Sequence, residues 1–181
     1  MMYKYLKKLD FKPNTVLDIG AWNGFWTKNC KEFWPKAHYT CIEAGSKHKI
    51  KLKKCANEVH IAVLGNKNKK VTMYFNKAGY TKGASIINRT PYSEERNMKT
   101  LESLVGLRRY DFIKQDVQGA EMLIMEGAPE IFKRATYVLN EVENNDVKEM
   151  NAYMKKLGFN NSEIIADHPG HDQVDKIYWK N

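Results

Sequence analysis

The stretch Val16–Phe25, VLDIGAWNGF, decides the fold. A short apolar run ends in an acid, and two glycines four positions apart, Gly20 and Gly24, open a helical pattern, so the order is strand, tight turn, helix. Glycine suits such a turn because it reaches φ > 0 and lets a ligand approach the backbone. A helix beginning near Trp22 would aim free N–H groups and a positive dipole end into the crevice. An anionic or nucleotide-like ligand is the expectation there.

The spacing selects among ligands. A dinucleotide turn reads G-x-G-x-x-G, but Ala21 and Trp22 follow Gly20 and no third glycine completes the pattern. A phosphate loop needs Lys and Ser or Thr after its last glycine, where Phe25 and Trp26 stand. The arrangement D-x-G-x-x-x-G, Asp18 through Gly24, resembles the first motif of class I S-adenosylmethionine-dependent methyltransferases. In that group the turn holds the methionine end of the cofactor, so the resemblance implies Asp18, Gly20, Ala21, Asn23 and Gly24 as cofactor-binding residues. The plainer reading is that the two glycines only shape a strand-to-helix turn.

The 181 residues fit one domain, 1–181, and no linker-like stretch divides them. No apolar run approaches a membrane span, and the opening MMYKYLKKLD lacks the apolar stretch of a secretory signal, so a cytoplasmic protein is expected. Cys30, Cys41 and Cys55 are odd in number and lack C-x-x-C spacing, which argues for free thiols rather than disulfides or structural zinc. Thirty basic against twenty-one acidic residues give +9, compatible with attraction to nucleic acid, acidic glycan or a membrane surface. Lysine supplies nearly all of the excess. The cluster Lys47, Lys49, Lys51, Lys53 and Lys54 spreads around a helical pattern and reads as a solvated face.

Apolar runs alternate with helical patterns, the signature of a mostly parallel α/β sheet. Strands are expected at Thr15–Ile19, Tyr39–Glu43, Val59–Leu64, Asp111–Val117 and Tyr137–Val142, with Val71–Phe75 as a further arm. Helices are expected over Trp22–Trp34, from a Ser46 cap to Cys55, from a Thr100 cap through TLESLVGL, over Ala120–Ile131 and over Val147–Leu157. Ser162–Ala166 and Val174–Trp179 suggest a terminal hairpin. The count matches the Rossmann-like doubly wound sheet of the class I methyltransferases, with an antiparallel terminal strand. Asn76–Lys99, carrying Tyr80, Arg89 and Tyr92, reads as a lid or substrate loop.

Glu43 ends the second strand at the distance where an acid reaches a ribose in nucleotide-binding sheets. The segment from Asp111 to Glu143 narrows the family, because Asp116, Gly119, Glu121, Gly127, Ala128 and Glu141 stand where FkbM-type methyltransferases carry the same residues. TLESL from Thr100, GASI from Gly83 and the Ala62 region resemble further family motifs, so the resemblance covers Thr15 to Lys180. It implies S-adenosyl-L-methionine as cofactor, with Glu43, Ala62 and Asp116 among its contacts. The acceptor it implies is a hydroxyl of a sugar, glycan or natural product. Gln118 departs from the usual Glu, and Glu102 from the usual Asp.

Methyl transfer from a sulfonium is an in-line displacement, so the protein must align an oxygen nucleophile and manage its proton. Asp116, Gln118 and Glu141 are the expected catalytic residues: Asp116 as base or aligning group, Gln118 orienting a hydroxyl through its amide. Asp116 and Glu141 could share a divalent ion, yet with Gln118 replacing an acid the reading favours no metal. Asp116 could equally buttress its turn. His60 reads as a core or cofactor-side histidine. His168 and His171, in ADHPGHD, have zinc-like spacing, but Pro169 and Gly170 make a turn residue the simpler explanation. The competing readings are a nucleic-acid methyltransferase, a nucleotide-binding oxidoreductase and a non-catalytic cofactor-binding module.

Overall fold

A computed structural model describes residues 2–76, 83–87, 90–168, 170 and 172–180. The chain opens with α1 (Met2–Lys8), β1 (Thr15–Ile19), α2 (Phe25–Lys31) and β2 (His38–Glu43). A 3-10 turn at Ser46–His48 leads to α3 (Lys49–Lys53), β3 (Glu58–Ile61), β4 (Val63–Leu64), β5 (Lys69–Phe75) and β6 (Tyr92–Lys99). Then come α4 (Leu101–Val105), β7 (Phe112–Gln115), α5 (Glu121–Glu126), α6 (Pro129–Lys133) and β8 (Tyr137–Glu143). A second 3-10 turn, Asn144–Asp146, precedes α7 (Val147–Lys156), β9 (Asn161–His168) and β10 (Gln173–Trp179).

Seven strands form one sheet in the order β3-β2-β1-β7-β8-β10-β9, parallel except for β10, which runs antiparallel between β8 and β9. The expected doubly wound sheet with an antiparallel terminal strand is present. Burial on both faces explains the near-continuous apolar strands. Alternation along β1 sends Val16 to a cluster with Trp26, Trp34 and Phe112, and Leu17 and Ile19 to one with Ile124, Ile131 and Met154. Asp18 falls on the Val16 side, and β7 repeats the pattern, with Phe112 and Lys114 on that side and Ile113 on the other.

Several elements differ from the sequence reading. Tyr92–Lys99, expected within a loop, is β6 and pairs antiparallel with β5. It was hidden because all its residues but Arg96 and Met98 are exposed, so no apolar alternation marks it. Tyr80 and Arg89 of the expected lid lie outside the described residues. The third strand breaks at Ala62, where β4 leaves the large sheet for a three-stranded sheet, β4-β6-β5. The long helix splits at Gly127–Ala128, because Pro129 starts a new helix and a side chain at 127 would press on the backbone of Asn66. Thr100 caps α4 through Ser103 N–H (3.1 Å), whereas Ser46 makes no side-chain cap. Among the described residues no helix is long and apolar enough to cross a membrane.

Candidate active site

A cavity of about 650 Å³ opens at the carboxyl ends of β1, β2, β7 and β8. That is the end, and the switch point between β1 and β7, at which doubly wound sheets take their ligands. Ala62, Val63, Leu64 and Ile42 give it an apolar wall, and Glu43, Asp116, Gln118, Glu141 and His168 supply polar groups. Met73 of the small sheet and the segment Gly83–Ile86 close another side.

The motif turn is built by its own chain. Gly20 has φ +75°, and a Cβ there would overlap the carbonyl oxygen of Asp116. Gly24 has φ +81°, and its Cβ would come within 2.5 Å of Cys55 Sγ. Both glycines are therefore demanded by packing, before any ligand is considered. Helix α2 starts at Phe25, later than expected, and Asn23 Oδ1 takes the Phe25 N–H at 3.0 Å.

Asp18 is fully buried and accepts from Thr27 Oγ1 at 2.6 Å. Its other oxygen lies 3.2 Å from Lys114 Nζ, a cross-strand neighbour in the β1–β7 register. Lys114 also donates to Gly20 O (3.1 Å) and lies 3.4 Å from Asp116 Oδ2. One buried ammonium thus ties the motif strand, the glycine turn and the candidate catalytic acid together. Burial opposes its charge, but Asp116 and Asp18 outweigh that and raise its pKa above the ordinary lysine value. Sequence reasoning missed Lys114.

Of the expected cofactor residues, Gly20, Glu43, Ala62 and Asp116 line the cavity, and Trp22 joins them. Asp18, Ala21, Asn23 and Gly24 are not among its lining residues; Ala21 packs on Cys41 and Leu52. Glu43 accepts from Trp22 N–H at 2.8 Å and from Gly45 N–H at 2.7 Å. Trp22 sits at φ +46°, a strained value for a bulky residue, and the Glu43 bond helps hold it there. Burial raises the Glu43 pKa above its ordinary value, against the two N–H donors.

Asp116, Gln118 and Glu141 converge at the far end. Gln118 Nε2 donates to Asp116 Oδ1 (3.1 Å) and Glu141 Oε2 (2.7 Å), so its amide bridges the two acids. Gln118 too has positive φ, +58°, and Ser85 Oγ donates to its carbonyl at 2.9 Å. Burial works against the Asp116 charge, yet Lys114 and the bonds from Glu141 and Gln118 hold its pKa below the ordinary carboxylate range. Glu141 goes the other way, raised by burial and by the Asp116 and Asp175 charges. Glu121 Oε1 accepts the Val117 N–H at 2.8 Å and braces this turn.

The zinc-like histidine pair is not what the described residues assemble. His168 Nε2 lies 3.1 Å from Asp175 Oδ2, while Pro169 and His171 lie outside the described residues. His60, on β3, binds Glu58 at 2.8 Å.

The family model of the Methyltransferase FkbM domain matches residues 18–160. Among solved structures, precorrin-6y C5,15-methyltransferase from Geobacter metallireducens has TM-score 0.57 and 14% identity over 97% of this chain and 86% of that one. A TehB-like SAM-dependent methyltransferase from Corynebacterium glutamicum has TM-score 0.55 and 8% identity over 99% and 87%. The fibrillarin pre-rRNA processing protein of Methanococcus jannaschii has TM-score 0.54 and 17% identity over 98% and 73%. At such identities the likeness is one of fold, that of the class I methyltransferases. No curated protein matches the chain. With the family model covering most of its length, the chain belongs to the FkbM methyltransferase domain family.

Proposed function

We propose that this chain, acting as one domain over residues 1–181, is an S-adenosylmethionine-dependent O-methyltransferase. Its acceptor is a hydroxyl on a sugar, glycan or natural-product-like molecule. The observation that carries the reading is one cavity running from Glu43 at the end of β2 to Asp116, Gln118 and Glu141 beyond β7 and on β8.

The residues fit the cofactor. Each Glu43 oxygen keeps a lone pair after its backbone bond, so the carboxylate can accept from both ribose hydroxyls. The Ile42, Ala62, Val63 and Leu64 wall suits an adenine face, and ionised Asp116 suits the cationic end. When bound, the cofactor supplies an already activated methyl group.

The chain's own residues then have to place an oxygen in line and exclude water. Asp116, held ionised, accepts a hydrogen bond from the acceptor hydroxyl and aligns its oxygen; as the new C–O bond forms and the S–CH3 bond breaks, the hydroxyl proton becomes strongly acidic and passes to this carboxylate. Gln118 is pinned by Ser85 at its carbonyl and by two acids at its amide, and it fixes Asp116 in place. Asp18, Ala21, Asn23 and Gly24 act through the turn they shape.

Isothermal titration with S-adenosylmethionine and NADH, followed by transfer of labelled methyl to glycans, small phenols and RNA, tests the reading. Binding of the first cofactor with transfer to a glycan or phenol is the expected result. Binding of NADH alone would make the chain an oxidoreductase. Transfer to RNA alone would make the fibrillarin-like resemblance and the +9 charge the better guides.

A further inference from the structure

Beside the acids already described lies a second grouping on the last three strands of the sheet. Glu141 of β8 and Asp175 of β10 are directly opposed in the antiparallel register, and His168 ends β9 next to them. One donor atom from each residue lies within 4.8 Å of the other two. Two carboxyl groups directly opposite one another across an antiparallel pair repel when both are ionised, so a cation between them stabilises the ionised pair. Here the opposition is half-buried, with Asp175 only 9% exposed.

No lysine among the described residues compensates it. Lys114 is already shared by Asp18 and Asp116, Gln118 gives Glu141 a neutral donor, and Lys176 points to the opposite face with Val174 and Tyr178. His168 Nε2 is closed off from solvent and lies 3.1 Å from Asp175 Oδ2, at ion-pair distance but outside good hydrogen-bond geometry. Two oxygens and an imidazole nitrogen from three strands thus converge on a point that adjoins the cavity, where Glu141 and His168 are both lining residues.

We propose that Glu141, His168 and Asp175 form a binding site for one divalent transition-metal ion. The imidazole favours ions in the range from Mn²⁺ to Zn²⁺ over Mg²⁺ or Ca²⁺, whose sites are built from oxygen alone. Donors around such an ion stand about 2.0–2.2 Å from it, so closing the present spread takes side-chain movement of about an ångström. Three protein ligands leave coordination positions open toward the cavity, which suits an acceptor that presents a hydroxyl with a second oxygen beside it. This last point rests on the methyltransferase reading; the ion site itself does not.

The test uses the full chain freed of metal with a chelator. Mn²⁺ is titrated calorimetrically and by electron paramagnetic resonance, Zn²⁺ and Co²⁺ calorimetrically, and S-adenosylmethionine binding is measured separately in EDTA. One ion per chain is expected, weakened by at least about 10-fold in His168→Gln and in Asp175→Asn, the scale of perturbing a metal's ligand environment. Should Asp175→Asn fail to fold, His168→Gln, at a partly exposed position, decides alone. Absence of binding by Mn²⁺, Zn²⁺ and Co²⁺, or binding unchanged in His168→Gln, overturns the proposal. Cofactor binding without metal binding would remove the ion site and leave the methyltransferase reading; metal binding without cofactor binding would do the reverse.

Discussion

Asp18 and Lys114 are register partners on adjacent parallel strands, buried side by side with 3.2 Å between Oδ1 and Nζ. Their pairing lets an acid occupy the middle of a sheet at the motif turn. It also makes Asp18 a support of the cavity floor rather than part of its lining.

Breaking that pair from one side strands a buried charge. Lys114→Met or Asp18→Ala should each cost about 3–5 kcal/mol in urea denaturation, the scale of an orphaned buried ion. Asp18→Ala combined with Lys114→Met should lose clearly less than the two single losses added. Simple additivity would mean the two residues do not act as a unit.

Glu43→Ala removes the acceptor proposed for the ribose and loosens the Trp22 and Gly45 turns. Cofactor affinity should drop by about 1–3 kcal/mol, the range for lost charge-assisted hydrogen bonds. Calorimetry against S-adenosylmethionine reads this directly, and an unchanged dissociation constant would leave Glu43 a purely architectural residue.

Asp116→Asn should leave cofactor affinity within a few-fold and slow single-turnover transfer by about 10²-fold or more, the penalty of misplacing a reacting group. Lys114 holds this carboxylate ionised, so the rate should show no acid limb from it above about pH 4, the ordinary carboxylate value. Full activity of the variant would take Asp116 out of the reaction.

Glu121 offers a pH signature. Burial raises its pKa from the ordinary 4.5 to about 7. Between those values the folded chain keeps a proton that the unfolded chain has lost, so stability falls as pH rises across the window and levels off above it. The full span is about 3 kcal/mol at 1.36 kcal/mol per unit. Glu121→Gln keeps an acceptor for the Val117 N–H and removes this titration. Its urea midpoint should gain on the native chain's between pH 5 and 8; parallel curves would place the titration elsewhere.

Strand ends were the legible part of the site. Gly20, Glu43 and Asp116 each stand at the end of a strand that the sequence pattern predicts, so a one-dimensional pattern suffices to bring them to the same edge of the sheet. Lys114 carries no such mark, because FIKQ gives no sign that its lysine faces Asp18 across a pairing made only in three dimensions. The opposition of Glu141 and Asp175 is equally invisible, since it depends on β10 entering between β8 and β9. The strand inside the expected loop is hidden for a related reason: β6 is held by backbone pairing to β5, while all its side chains but Arg96 and Met98 are exposed.

The interposed position of β10 also orders events in time. Strand β9 is synthesised first, yet its place in the sheet is reached only through β10, so β8 must present an open edge until residues 173–179 arrive. An unpaired edge is a template for association with other chains. Glu141 acquires its neighbours from the last strand only at that late step. The nascent polypeptide therefore passes through an interval in which the half of the crevice around Gly20 and Glu43 can assemble while the opposite half is still unmade, and intermolecular strand exchange is the hazard of that interval.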